Sequence, residues 1–289
     1  MIKQVFQINN KDSEAEKCIE VDKSNHTIKL LKNEKMYKAD YLHYFNEGNQ
    51  LLFDKVISDS IPLLFEGTST LIIIYGEPAT KKRLTLFSLN NNEGLLEKTI
   101  KKIFELNKNY KYFIKISFAE IKYKIINDLI NQKTNLNKIE DIEEVDANNE
   151  ETSIKNINEA INRITKCKNS MNCFCGREFD LVNFSLVNEK GLLSKVTFLR
   201  TTGHENIAKT CTIDKNTLKD LTYINSSLDA VKDTLNKFKK GKNSQFSKDS
   251  IISKYLSEEI KGKNLILIGN IQEDKKYEKD TSQTLNFIE

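Results

Sequence analysis

The chain has 289 residues, 38% hydrophobic and 30% charged, a soluble, globular balance with a lean core and room for one large domain or two small ones. Its 45 basic and 41 acidic side chains leave a net charge of only +4, so partners must be read from local clusters rather than from the total. No apolar run approaches the ~18 residues of a membrane helix, and the opening MIKQVFQINNKDSEAEK lacks the apolar core of a secretory leader; both point to a cytoplasmic chain.

In chain order, Ile2 to Ile8 suits an opening strand, and Cys18 to Val21 with Thr27 to Leu31 reads as a hairpin around DKSNH. Leu51 to Val56 (LLFDKV) reads as a strand, and Ser58 to Gly67 as a short helix closed by its glycine. Thr70 to Tyr75 (TLIIIY) is almost wholly apolar, as in a parallel strand covered on both faces. Leu95 to Asn107 has apolar residues at helical spacing, and Tyr112 to Ile121 returns to strand character. Ile125 to Ile130 is short and fits either type. Residues 131–153 hold seven acids and two lysines and read as a flexible acidic surface loop. Ile154 to Cys167 is a helix, and Asp180 to Val187 and Leu193 to Leu199 are strands joined by the turn NEKG. Leu218 to Phe238 and Asp249 to Ile260 are helical, Lys263 to Ile271 is a buried strand, and Thr281 to Ile288 is a last helix. Strands mixed with helices through one length imply a single α/β domain with a central sheet. The five cysteines fit reduced thiols; Cys173 and Cys175, with Cys167 nearby, offer one paired set where zinc usually needs two, so no metal is assigned.

The segment after the TLIIIY strand has the outline of a phosphate-binding loop, G-x-x-x-x-G-K-[ST]. Gly76 and Lys82 stand at the pattern's first Gly and its Lys, Lys81 at the second Gly, and Arg83 at the hydroxyl position. Thr80 lies inside the loop.

The order of several segments resembles the kinesin motor domain. LLFDKV resembles the family's F-D-x-V-F strand. IKISFAEIKYKIINDLI, Ile114 to Ile130, resembles V-x-V-S-F-x-E-I-Y-N-E-x-I-x-D-L-L, with Ser117, Phe118, Glu120, Ile121, Ile126, Asp128 and Leu129 matching outright. NCFCGR, Asn172 to Arg177, sits at switch I (N-x-x-S-S-R), and KVTFLRTTGHEN, Lys195 to Asn206, at the strand and D-L-A-G-S-E-R of switch II. INSSL (Ile224 to Leu228), KDSIISKYL (Lys248 to Leu256), LILIGNI (Leu265 to Ile271) and TLNF (Thr284 to Phe287) resemble the family's I-N-K-S-L, R-D-S-K-L-T-R-L-L, L-M-I-A-N-I and T-L-R-F. The likeness spans nearly the whole chain. It implies one kinesin-motor-like P-loop NTPase domain over residues 1–289, with a mainly parallel or mixed sheet between helices, and ATP or ADP as the ligand.

The departures fall on the chemistry. Ala79 and Lys81 replace family glycines that let backbone N–H groups approach phosphates, and Pro78 has no N–H to give. Lys82 keeps the cation for the outer phosphates. Mg²⁺ in such sites is held by the loop hydroxyl and a strand acid; Arg83 and Arg200 stand at those places, and Cys175 and Gly176 at the switch I serines. Phe179 aligns with the last switch I His, and Gln7 to Asn10 with the missing R-x-R-P adenine contact. Arg177, Gly203 and Glu205 match retained switch positions, and in the family that Arg and Glu form a salt bridge. The expectation is a lost Mg²⁺ site, with Arg83 and Arg200 filling the pocket against Glu77 or Glu205.

In the family the I-N-x-S-L helix, the following loop and the R-D-S helix face the microtubule, whose acidic surface favours lysines. Lys232 to Lys254 holds seven lysines and two aspartates, and Lys237, Lys239, Lys240, Lys242, Lys248 and Lys254 are the track-binding candidates. No aromatic-interleaved basic platform marks nucleic acid. The given sequence ends with TLNFIE; taken as a full protein, without a neck linker, stalk or cargo domain, it is expected to be a non-motile tubulin-binding module or a partner of an active kinesin subunit rather than a processive stepper. The leading reading is a degenerate kinesin-like protein on microtubules with ATP hydrolysis weak or lost. The alternatives are a divergent but active ATP-driven motor and a cytoplasmic scaffold that binds neither ligand.

Overall fold

The opening apolar segment forms β1 (Ile2–Asn9), parallel to β5 (Tyr41–Tyr44) on one side and to β13 (Asn264–Gln272) on the other. The computed structural model describes residues 1–10, 15–78, 80–88, 92–164, 178–204, 215–241 and 250–289, with 215–217 given by backbone alone. β13 pairs in parallel with β6 (Thr70–Tyr75), and β6 in parallel with β12 (Gly191–Arg200). From there the sheet turns antiparallel through β11 (Phe179–Asn188), β7 (Phe113–Lys122), β8 (Ile125–Asp128) and β9 (Lys133–Leu136), and β10 (Val145–Asp146) pairs with β7. The result is a mixed sheet, half parallel and half antiparallel.

The apolar run of β6 is explained by its place between two cores. Ile72 and Ile74 face one and Leu71, Ile73 and Tyr75 the other, as the period of two in a strand requires. The first core is closed by α1 (Gly48–Val56), α2 (Ser60–Phe65), α3 (Lys82–Leu86), α4 (Leu95–Tyr110) and α5 (Glu150–Arg163). The second is closed by α6 (Lys215–Lys239), α7 (Ile251–Glu259), α8 (Glu278–Ile288) and a small sheet of β2 (Ile19–Asp22), β3 (Thr27–Leu30) and β4 (Met36–Lys38). β4 extends the expected hairpin by a strand. Among the described residues no helix is long and apolar enough to cross a membrane.

Two expectations need correction. LLFDKV is not a strand; it lies in α1. Its buried residues Leu52, Phe53, Val56 and Ile57 are followed by Ile61, Leu64 and Phe65, a helical spacing, and exposed Asp54 and Lys55 break any alternation. The likeness to the family's F-D-x-V-F strand was therefore one of letters; the short strand at this end of the sheet is β5. Residues 131–153, expected as a surface loop, hold β9, a 3-10 turn (Ile139–Asp141), β10 and the first turn of α5. The buried Asp128 carboxylate organises this segment by accepting from the backbone N–H groups of Ile130, Asn131 and Glu143. Leu136, Ile139 and Ile142, spaced among the acids, pack on the second core.

Candidate functional site

Parallel strands β1, β13, β6 and β12 carry their C-terminal ends to one edge, where open α/β sheets place their ligands. Arg200 lies beside Ile74 in register, and Thr201 donates its N–H to the Ile74 carbonyl at 3.0 Å. This sets the segment after β12 directly against the loop after β6. Gly76 and Gly203 are both required by close approach. A Cβ on Gly76 would meet the Asn270 carbonyl oxygen at 2.5 Å, and one on Gly203 would meet Pro78 Cδ at 2.6 Å and Glu77 Cα at 2.8 Å. Gly203 therefore lets the segment after β12 lie against the loop after β6, and Gly76 seats that loop against Asn270 of β13.

The loop itself keeps an unusual conformation without its second glycine. Lys81, the residue before α3, sits in the left-handed region at φ 63°, and its ammonium lies 4.0 Å from the Phe45 ring centroid. A left-handed L-residue costs about 1–2 kcal/mol, which a cation–π contact of about 0.5–1 kcal/mol offsets in part. Thr80 is buried and donates its hydroxyl to the Glu77 carbonyl at 2.7 Å. The Lys82 ammonium, also buried, donates to the carbonyls of Gly76 and of Glu77, the latter at 3.0 Å.

Arg200 is fully buried, with Nε donating to Asp180 at 2.5 Å and Nη2 to Glu178 at 2.8 Å. Its predicted pairing with Glu77 is not found, and Glu205 lies outside the described residues. The partners come from the neighbouring strand because the β11–β12 register sets Asp180 opposite Arg200. Burial pushes the Asp180 carboxyl up to about 6, against the opposing pull of Arg200 and with help from the adjacent Glu178. Arg83 is near enough to act electrostatically on Asp180, and its guanidinium lies 6.0 Å from the Phe87 ring centroid. Its Nε has no hydrogen-bond partner among the described residues. Two arginines thus face two carboxylates, and their formal charges cancel.

Glu77 belongs to a second cluster. Tyr75 donates its hydroxyl to Glu77 Oε1 at 2.6 Å, and His204 Nδ1 lies 2.9 Å from that hydroxyl and 3.3 Å from Oε1. His204 Nε2 lies 3.3 Å from Asp229 Oδ1 on α6. Tyr75 stacks on Phe287 of α8 at 3.7 Å between centroids. Sequence reasoning missed Glu178, Asp180, His204 and Asp229, because each gains its role from a neighbour distant in the chain.

Among the track-binding candidates, Lys240 and Lys254 are exposed, and Lys237 pairs with Asp233 at 2.6 Å. Lys239 turns inward and donates to the Ile288 carbonyl at the end of α8; burial pushes its ammonium down to about 8. Arg177, Glu205, Lys242 and Lys248 lie outside the described residues, as does the expected Arg177–Glu205 pair.

The sequence profile of the kinesin motor domain family matches residues 3–289. Kinesin-related protein 3 of Dictyostelium discoideum is 24% identical over 90% of this chain and 24% of its own length. Kinesin-like protein 3 of Schizosaccharomyces pombe is 24% identical over 82% of this chain and 47% of its own length. The chain thus spans less than half the length of these relatives. A KIF14 segment, solved as a two-heads-bound dimer with AMP-PNP on a microtubule, superposes with a TM-score of 0.85 at 15% identity, covering 99% of this chain and 92% of that one. A second KIF14 segment, with ADP on a microtubule, gives 0.83 at 14% identity over 100% and 94%. These likenesses show the kinesin-type P-loop NTPase fold.

Proposed function

The chain belongs to the kinesin motor-domain family, and from that premise we propose that it binds microtubules while hydrolysing ATP weakly or not at all. The observation that carries this reading is Arg200. At the position where the resemblance puts the switch II acid, a guanidinium is buried between Glu178 and Asp180. That donor set does not suit a divalent cation: the nearby carboxylates are engaged by Arg200, and Arg83 adds a second positive charge. Pro78 has no N–H for a phosphate, and the Lys82 ammonium is held by loop carbonyls. Binding is assigned to the end of α6 and to α7, where exposed Lys240, just past α6, and Lys254 of α7 offer charge to acidic tubulin. The proposal covers one motor-like domain over residues 1–289, located on the cytoplasmic cytoskeleton, with an active kinesin subunit as a further partner.

One observation favours the divergent-motor alternative. Gly76, Gly203 and Lys82 stand at their family positions, and Lys81 holds a left-handed turn at the second glycine's place. Co-sedimentation with stabilised microtubules, without nucleotide, with Mg-ATP and with Mg-ADP, separates the readings. We expect pelleting that is unchanged by nucleotide and weakened by salt. Release by ATP would establish the active motor instead, and no pelleting in any condition would leave a scaffold.

A further inference from the structure

The two ring nitrogens of His204 each face an acceptor on a different element. Nδ1 faces the Tyr75 hydroxyl of β6 and Glu77 of the following loop; Nε2 faces Asp229 of α6. The Tyr75 hydroxyl has one hydrogen, directed at Glu77, so its oxygen is an acceptor toward Nδ1. Both nitrogens therefore need a proton, which only the imidazolium supplies. We propose that His204 is a proton-operated bridge: protonated, it ties the loop after β6 to α6, and deprotonated, it releases α6 at Asp229.

The order of release follows from burial. Glu77 is 1% exposed, and a buried carboxylate that loses a donor is costly. The Asp229 side chain is 71% exposed and exchanges a lost contact for water. The neutral ring therefore keeps its proton on Nδ1 and turns a bare Nε2 lone pair toward the Asp229 carboxylate, acceptor against acceptor. The charged and titratable groups facing the ring among the described residues are Tyr75 from β6, Glu77 from the loop and Asp229 from α6, and Asp280 of α8 adds negative charge at Tyr75. Burial lowers the ring's proton affinity, yet the contacts with Glu77 and Asp229 win and raise it above the ordinary 6.5. A folded-state value above the unfolded one makes this stabilisation complete below about 6.5 and lost as pH rises through the folded midpoint. The bridge joins the eroded phosphate loop to the helix that begins the lysine-rich face, whatever that face binds.

The test is side-chain NMR of the intact chain, whose three histidines (His26, His43, His204) keep the spectrum simple, with hydrogen exchange of α6 across the same pH range. His204 is expected to titrate above the ordinary value. Asp229→Asn should lower its midpoint by a few tenths of a pH unit, as for an exposed pair, and Glu77→Gln by about one unit, as for a buried one. Exchange around Asp229, corrected for intrinsic rate, should quicken above the midpoint in the wild type and lose that dependence in His204→Gln. If His204→Gln fails to fold, Asp229→Asn carries the comparison. A midpoint at or below the ordinary value, a midpoint indifferent to Asp229→Asn, or pH-independent α6 exchange in the wild type would overturn the bridge.

Discussion

At position 200 a single side chain decides how the end of β12 is neutralised. With Arg200 present, Glu178 and Asp180 share one guanidinium in a site closed to water. Removing it with Arg200→Met strands two buried carboxylates, and we expect a loss of about 3–5 kcal/mol, read from urea unfolding. Asp180→Asn keeps an acceptor for Nε and removes one of the two negative charges, so its cost should stay below about 1 kcal/mol. The same pair gives a pH signature. Because the folded Asp180 carboxyl, at about 6, takes a proton more readily than at its ordinary 3.8, its contribution to stability falls as pH rises across that window. Asp180→Asn should flatten that part of the profile.

At the scale of elements, the loop after β6 and the segment after β12 behave as one packed unit. Gly203 lies against Pro78 and Glu77 with no space for a methyl group, and the nearest backbone atom, Glu77 Cα, cannot rotate away as a side-chain end can. Gly203→Ala should cost about 1–3 kcal/mol, as overpacking does, in thermal or urea unfolding. It should also disturb the environment of His204, the next residue. The α6–α8 contact is a second junction: Lys239 holds the last turn of α8, and Phe287 of α8 stacks on Tyr75 of β6. The C-terminal helix is thus tied to the end of the same strand that leads into the loop after β6.

For the whole molecule, the lysines around the end of α6 and in α7 divide into outward and inward groups. If the microtubule reading holds, reversing the exposed pair, Lys240→Glu with Lys254→Glu, should weaken pelleting several-fold at low salt. The difference from wild type should shrink as salt screens the contact. Lys239→Met should leave pelleting within about twofold, because its ammonium faces the Ile288 carbonyl rather than a partner. Equal losses from both changes would remove the distinction.

Most of the fold was legible because it rests on local patterns. The unbroken apolar run of TLIIIY, the helical spacing of LLEKTIKKIFELN and the turn NEKG each report their own structure, and the order of family-like segments fixed the architecture. The misreadings were also local: LLFDKV satisfied a strand-like letter match while its buried positions followed a helix, and the acids of residues 131–153 masked the apolar residues that pack there. The site was only half legible. Gly76, Lys82 and Arg83 could be placed from spacing and Gly203 from the resemblance to switch II, but the partner of Arg200 could not. An unbroken hairpin from the Asn188–Gly191 pair would set Leu199 opposite Asp180; the register shift at Leu186 and Val187 moves Arg200 there instead. Sequence determined which charges the site contains. Tertiary structure decided which of them meet, because cross-strand register and loop-to-helix contact are set by packing, not by spacing along the chain.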